Sequence, residues 1–108
     1  MSEIRTERVK ELLHDLGARF LSQNSNTSSL LTVTRVEMSK DKKHATMFFT
    51  VFPETMEKTA LEFAKRKRGE FKQFVKDNSR MGFIPQLDFA IDFGEKNRQK
   101  IDELLNEK

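Results

Sequence analysis

The chain has 108 residues, of which 36% are hydrophobic and 34% charged, so one domain with a single core is expected over residues 1–108. It contains no cysteine, which excludes disulfides, thiolate metal sites and a cysteine nucleophile in this chain and fits a reducing compartment. The net charge of +3 is small, and no apolar run suggests a signal peptide or a membrane span, so a cytoplasmic protein is expected.

A first helix is predicted over residues 2–22, with Ser2 as its N-cap. Its apolar side chains recur at three- and four-residue steps: Val9, Leu12, Leu13, Leu16 and Phe20. Arg5 and Arg8 lie on one shoulder of this apolar face, where they can contact phosphates or simply cover the edge of the core. Gly17 inside the helix permits another element to approach closely.

Two strands and a tight turn are predicted after a polar loop at residues 23–29. Residues 30–38 and 44–52 are rich in β-branched and aromatic residues, and the five residues between them form a hairpin turn. That turn carries three lysines: Lys40, Lys42 and Lys43. One face of the second strand is entirely apolar and should pack on helices, whereas the other face is mixed.

Two consecutive helices are predicted next, the first with Thr55 as its N-cap and the second ending near Arg80. Gly69 is expected to form the interhelical turn between them. One long helix with a kink at this position is the alternative.

A run of four cations precedes that glycine: Lys65, Arg66, Lys67 and Arg68. Lys72, Lys76 and Arg80 follow Arg68 at intervals of four, and such residues share one helix face. We call Arg68, Lys72, Lys76 and Arg80 the basic stripe. It suits a phosphate backbone, although an ordinary solvated helix face would have the same pattern.

The C-terminal part predicts a third strand over residues 86–92, where apolar residues alternate with polar ones and with alanine. Asp92 and Glu95 have the spacing of a capping-box variant for a last helix over residues 93–108. The predicted order is therefore α-β-β-α-α-β plus a C-terminal helix. It indicates an α+β, type II KH-like fold with helices on one face of a three-stranded mixed sheet. The GxxG loop of usual KH domains is missing.

Several segments in this order resemble one family, ribosome-binding factor A. Residues 85–92 are similar to its P-x-L-x-F-x-x-D strand, and residues 101–105 to its I-D-x-L-L helix. Residues 33–41 with Ala45 are similar to its first hairpin, and Arg5, Arg8 and Val9 to the start of its first helix. The family has an A-x-G signature between its helices, of which this chain keeps Gly69 but has Lys67 in place of the alanine.

The resemblance implies a non-catalytic assembly factor that binds the free 30S small ribosomal subunit. It would promote late maturation of 16S rRNA, including processing of the 5′ end and folding of the decoding region. It also implies release with the help of an assembly GTPase and a role in growth in the cold. Neither a cofactor nor a metal is expected. A monomer without membrane contact is expected.

The residues predicted to contact RNA combine the cation run, the basic stripe, the first helix and the hairpin turn. They are Lys65, Arg66, Lys67, Arg68, Lys72, Lys76, Arg80, Arg5, Arg8, Lys40, Lys42 and Lys43. Two other functions stay open: a nuclear protein that uses the cation run as a localisation signal, and an interaction domain whose basic stripe binds an acidic protein. An enzyme is the weakest hypothesis, because there are only two isolated histidines and no glycine-rich phosphate loop.

Overall fold

The computed structural model describes residues 3–24 and 29–95. The chain forms helix α1 (Glu3–Asn24), strands β1 (Leu30–Met38) and β2 (His44–Phe52), a short 3-10 helix (Glu54–Met56), helices α2 (Glu57–Arg66) and α3 (Arg68–Asp77), and strand β3 (Gln86–Ile91). The predicted order α-β-β-α-α-β is confirmed. Residues 93–95 are helical, but Ser2 as a cap and the rest of the predicted C-terminal helix lie outside the described residues.

The three strands form one mixed sheet in the order β1-β2-β3, with β1 antiparallel and β3 parallel to β2. The bounds of β1 and β2 agree with those predicted. Strand β1 contains a bulge that the sequence did not indicate, because Val33 pairs with Phe49 and Arg35 with Phe48, which leaves Thr34 without a partner position. This extra residue shifts the alternation of β1, so that Val33 and Val36 both face the core.

The core lies between one face of the sheet and the three helices. Phenylalanines make up much of its volume: the Phe71 ring of α3 lies 5.1 Å from Phe20 of α1 and 5.1 Å from Phe89 of β3, measured between ring centres. Phe49 of β2 contacts Phe89 edge to face at 6.2 Å. These contacts join helix α1, helix α3 and the sheet, which explains how a chain without tryptophan or tyrosine fills its core.

Gly17 lies in α1 where the helix closely approaches the sheet. A Cβ atom at this position would stand 3.3 Å from the Met47 side chain and 3.7 Å from the Phe71 ring. The expectation that this glycine permits a close approach is therefore confirmed.

Helices α2 and α3 are separate, but their junction is not the one predicted. Lys67 alone separates them, with φ −91° and ψ 6°, and Gly69 lies in the first turn of α3. The assignment of the interhelical turn to Gly69 is wrong, because the turn is made at a residue whose negative φ needs no glycine. Thr55 as an N-cap is also wrong: the 3-10 helix precedes α2, and Met56 at the N-cap has no side chain that accepts a capping hydrogen bond.

Gly69→Ala is expected to raise the free energy of unfolding by up to about 1 kcal/mol, because alanine restricts the unfolded chain and favours the helix. A Cβ atom at residue 69 would have no described heavy atom within 4 Å beyond its immediate surroundings. Urea unfolding followed by circular dichroism measures the change. Gly17→Val is the contrasting variant and should lower the free energy of unfolding, because a side chain there would meet Met47 and Phe71. A loss of stability in Gly69→Ala would contradict the placement of Gly69 in the first turn of α3.

The face of the sheet away from the helices has a charged bridge across its strands. Asp92, which is 3% exposed, follows β3 and accepts hydrogen bonds from Thr34 Oγ1 at 2.5 Å, Arg35 Nε at 3.2 Å and the backbone N–H of Glu95 at 2.9 Å. The Arg35 guanidinium lies 3.9 Å from the centre of the Phe48 ring and also contacts Glu37. Asp92 therefore connects the bulge of β1 with the end of β3 and caps residues 93–95.

The environment of Asp92 favours its ionised form. Burial raises the pKa of its carboxyl group, but the hydrogen bonds from Thr34, the Glu95 backbone and Arg35 outweigh burial, so that the pKa lies below its ordinary value. The capping role predicted for Asp92 is confirmed, whereas its bonds to β1 were not foreseen.

Candidate nucleic-acid interface

The four-cation run divides among different surroundings in the folded chain. Lys65 Nζ lies 3.8 Å and Arg68 Nη1 3.4 Å from the Asp88 carboxylate of β3, while Lys67 Nζ lies 3.3 Å from Glu70. Arg66 lines a depression beside the end of α1 and the start of β1. The run is therefore not one uniform cationic surface, because successive helical residues point in different directions and nearby carboxylates offset part of the charge.

The residues of the basic stripe share one helix face along α3, but not beyond the end of that helix. Arg68, Lys72 and Lys76 are exposed on this helix at intervals of four. Arg80 is also exposed, but α3 ends at Asp77, so Arg80 lies in the connector that leads to β3. Its predicted place on the same helix face is wrong, because the helical spacing stops before that residue.

The hairpin turn that carries the predicted lysines is organised by several hydrogen bonds. Ser39 Oγ donates a hydrogen bond to Asp41 at 2.6 Å, and the Asp41 carboxylate accepts another from the Lys43 backbone at 3.0 Å. These bonds, the Ser39 bond first, lower the pKa of Asp41, and burial opposes them. Lys42 has φ 61°, a left-handed conformation that glycine or asparagine usually occupies. The turn thus holds a lysine where the backbone alone would favour another residue.

Two open depressions meet near this turn. The first, which we call the α3 groove, is lined by Lys43, Arg68, Gly69, Lys72, Phe83, Ile84, Gln86 and Leu87. The second, the α1 groove, is lined by Arg5, Val9, Met38, Lys42, Met81, Gly82, Phe83 and Pro85. The α3 groove is an open depression of about 520 Å³.

Phe83 lines both grooves and is 62% exposed. The sequence did not indicate a role for Phe83, because residues 81–85 lie between the predicted helix and strand and have no periodicity. Its neighbours are anchored: Met81 and Ile84 pack against the core, and Pro85 is fully buried. The backbone N–H of Gln86 donates to the Lys43 carbonyl at 2.8 Å, so that the connector is held against the hairpin turn.

The lining of the two grooves is cationic and contains no carboxylate. It combines Arg5 from α1, Lys42 and Lys43 from the turn, and Arg68 and Lys72 from α3. Within residues 5–24 and 29–95, no carboxylate lies within ion-pairing distance of Lys42, Lys43 or Lys72, whereas Arg68 shares Asp88 with Lys65. Tertiary structure thus brings together five of the predicted cations from three separate segments.

The other predicted residues are not part of this lining. Arg8, Lys40, Lys76 and Arg80 are exposed but line neither groove, and Lys65, Arg66 and Lys67 lie as described above. Their contact with RNA stays a prediction. In the part of the chain described here, histidine and carboxylate side chains form no group of three that could hold a metal ion. Nor does any described helix have the length and apolar character needed to span a membrane.

Comparison with known proteins identifies relatives of this chain. A sequence model of the family described as Ribosome-binding factor A matches residues 5–105. A Ribosome-binding factor A of Mycoplasmoides gallisepticum is 31% identical over 110 residues, with 99% of this chain and 92% of that protein covered. One from Fervidobacterium nodosum is 37% identical over 79 residues, which cover 72% of this chain and less than two thirds (63%) of that relative.

Solved structures share the fold. The crystal structure of ribosome-binding factor A from Thermus thermophilus matches with a TM-score of 0.68 at 24% identity, over 79% of this chain and 93% of that one. A homology model of the Thermus thermophilus protein, fitted into a cryo-EM map of its 30S complex, matches with a TM-score of 0.66 at 26% identity, over 75% of this chain and 88% of that one. The KH-like α+β assignment is consistent with both.

Proposed function

This chain belongs to the ribosome-binding factor A family, and on that premise we propose that it binds the free 30S small ribosomal subunit and promotes late maturation of 16S rRNA. The 30S complex into which the Thermus thermophilus relative was fitted supports the choice of partner. The contact surface we propose is the pair of grooves around Phe83.

The observation that carries this proposal is the cationic lining of both grooves. Five cations from α1, the hairpin turn and α3 converge there, although the whole chain has a net charge of only +3. Lysine and arginine that neutralise phosphates release counterions, and this supplies most of the affinity for a nucleic-acid backbone. Cations concentrated on one surface therefore support RNA binding even though the net charge of the whole chain is small.

The proposed action is binding without chemistry. A protein that fits one rRNA conformer better than its alternatives shifts the population toward that conformer by the difference in affinity. Such a mechanism requires neither a catalytic residue nor a cofactor. We further propose that the chain acts as a monomer in the cytoplasm, where subunits assemble, and that an assembly GTPase helps to release it.

Co-sedimentation with purified small subunits, large subunits and whole ribosomes, repeated over a series of salt concentrations, tests the proposal. We expect the protein to sediment with free small subunits and to dissociate steeply as salt increases. Equal recovery with large subunits, or no recovery with small subunits, would refute it. Recovery of an acidic protein by an RNase-treated sample that no longer retains rRNA would favour the interaction-domain alternative.

Lys42→Gly is expected to weaken binding to small subunits several-fold while leaving the fold intact or stabilising it by about 1 kcal/mol. Glycine adopts the left-handed conformation of residue 42 without strain, but it removes one cation from the α1 groove. The slope of log affinity against log salt should fall by about one. Lys58→Ala is the control, since Lys58 is exposed on α2, lines neither groove and is not among the predicted RNA contacts. Equal losses in both variants would indicate that only total charge matters.

A further inference from the structure

We propose that Phe83 is a stacking platform for one unpaired RNA base, with the phosphates on either side of that base bound in the α3 groove and the α1 groove. This inference rests on the proposed function and specifies which form of RNA the surface takes. It assigns a role to a residue that neither the sequence pattern nor the cation run indicated.

The first observation is that the connector leaves the Phe83 ring exposed while burying its neighbours. Met81 and Ile84 pack on the core and Pro85 is fully buried, yet Phe83 remains 62% exposed. Gly82 before it is exposed, and a Cβ atom at that position would have no described atom within 4 Å, so this part of the connector lies at the surface. A phenylalanine held at the surface by anchored neighbours does not gain stability from burial, and its ring is available for contact with a ligand.

The second observation is the arrangement of charge around the ring. Phe83 lines both grooves; Lys43 and Lys72 line one of them, and Lys42 and Arg5 line the other. An RNA backbone that passes over the ring would meet cations both before and after the stacked nucleotide. Aromatic side chains between cations are the usual arrangement for binding single strands, because every base has a face that can stack.

The third observation is that Phe48 and Phe52, the rings of β2 that face away from the helices, are not placed this way. The Arg35 guanidinium covers Phe48 at 3.9 Å, so that ring is not free to stack. Phe52 is 74% exposed but pairs with Leu30 at the end of the sheet opposite the hairpin turn. Phe52 lines neither groove and provides a matched control.

The proposal favours unpaired over paired RNA for a geometric reason. In an A-form duplex the base faces are stacked on one another, so a side chain cannot reach them without disrupting the helix. A loop, a bulge or a single strand presents a free face. The surface should therefore prefer rRNA segments that have not yet paired or have been opened.

Fluorescence of a Phe83→Trp variant tests stacking directly, because the chain contains no other tryptophan and no tyrosine. A single-stranded RNA of about 12 nucleotides should quench the indole as it binds, and the same sequence in a duplex should quench it much less. In the Phe52→Trp control neither RNA should change the emission. Equal quenching by duplex and single strand, or unchanged emission while fluorescence anisotropy of labelled RNA shows binding, would overturn the proposal.

Affinity provides the second readout. Phe83→Ala should weaken binding of the single strand about ten-fold, whereas Phe83→Trp should retain it. Phe83→Leu keeps an apolar side chain without an aromatic face and should behave like the alanine variant. Thermal unfolding should be unchanged in all three, since the ring is exposed. Full affinity in Phe83→Leu would overturn stacking.

The failure of this inference can be told apart from the failure of the proposed function. If wild-type protein and Phe83→Ala sediment equally with free small subunits, the ribosomal function stands and the stacking role is overturned. If wild-type protein does not sediment with small subunits at all, the proposed function is refuted. Quenching of the Phe83→Trp variant by polyglutamate as strongly as by RNA would overturn stacking in favour of an acidic protein partner.

Discussion

Arg68→Glu combined with Lys72→Glu is expected to abolish binding to free small subunits, with a loss of affinity of about 100-fold or more at moderate salt. Both side chains line the α3 groove beside Phe83. The double variant replaces two phosphate-binding cations with carboxylates that repel phosphate. Co-sedimentation over a salt series measures the loss. Circular dichroism should show an intact fold, because both residues are exposed.

The control for this double variant has the same change in net charge elsewhere on the surface. Lys58→Glu with Arg19→Glu also changes the formal charge from +3 to −1, a difference of four. Lys58 of α2 and Arg19 of α1 are exposed, line neither groove and are not among the predicted RNA contacts. This control should lose much less affinity. An equal loss would mean that overall charge determines binding, and unchanged binding in Arg68→Glu with Lys72→Glu would refute the groove as the contact.

Asp92→Ala is expected to destabilise the domain by about 2–3 kcal/mol, a large part of the stability of a small domain. The carboxylate is 3% exposed and accepts hydrogen bonds from Thr34, Arg35 and the Glu95 backbone. Its removal leaves these donors without their partner and separates the bulge of β1 from the end of β3. Urea unfolding measures the difference in free energy between the variant and the wild type.

Asp88→Ala is the matched control, because Asp88 lies on the strand that Asp92 follows but is partly exposed and pairs with solvent-accessible cations. Exposed ion pairs contribute little, so the free-energy cost of Asp88→Ala should be ~1 kcal/mol or below. A cost for Asp92→Ala as small as that of Asp88→Ala would contradict the bridging role.

The contribution of Asp92 should also depend on pH. Its pKa is lower in the folded chain than the ordinary value of 3.8, so folding favours the ionised form. The resulting stability is fully present above pH 3.8 and is lost as the pH falls through the lower pKa of the folded state. The difference in unfolding free energy between wild type and Asp92→Asn should therefore shrink below pH 3.8. A difference that stays constant down to about pH 2 would show that ionisation of Asp92 is irrelevant.

Local sequence pattern was sufficient for most of the secondary structure. The bounds of β1 and β2, the order α-β-β-α-α-β and the apolar face of β2 follow from alternation and helical spacing, which depend only on neighbours along the chain. The family could also be recognised from short segments in the right order. The errors fell at points where local geometry has several solutions: the cap at Thr55, the turn at Gly69 and the end of α3 before Arg80.

The bulge at Thr34 and the bonds of Asp92 show a second limit. Strand composition predicts that a segment is extended, but it does not say which residue is left out of the pairing. Thr34 and Asp92 are 58 residues apart and meet only because β1 and β3 flank β2 in the sheet. A contact of this kind has no signal in local spacing.

By itself, then, the sequence determined the elements, the type II KH-like order and the presence of many cations near the helix junction. Only the tertiary structure decided which cations share a surface. It separated Arg66 from the others, placed Lys65 and Arg68 beside Asp88, and brought Lys42 and Lys43 to Phe83. The physical reason is that helical and strand periods fix the direction of each side chain within its own element, whereas a binding surface forms where side chains from several elements converge, and core packing determines which elements those are.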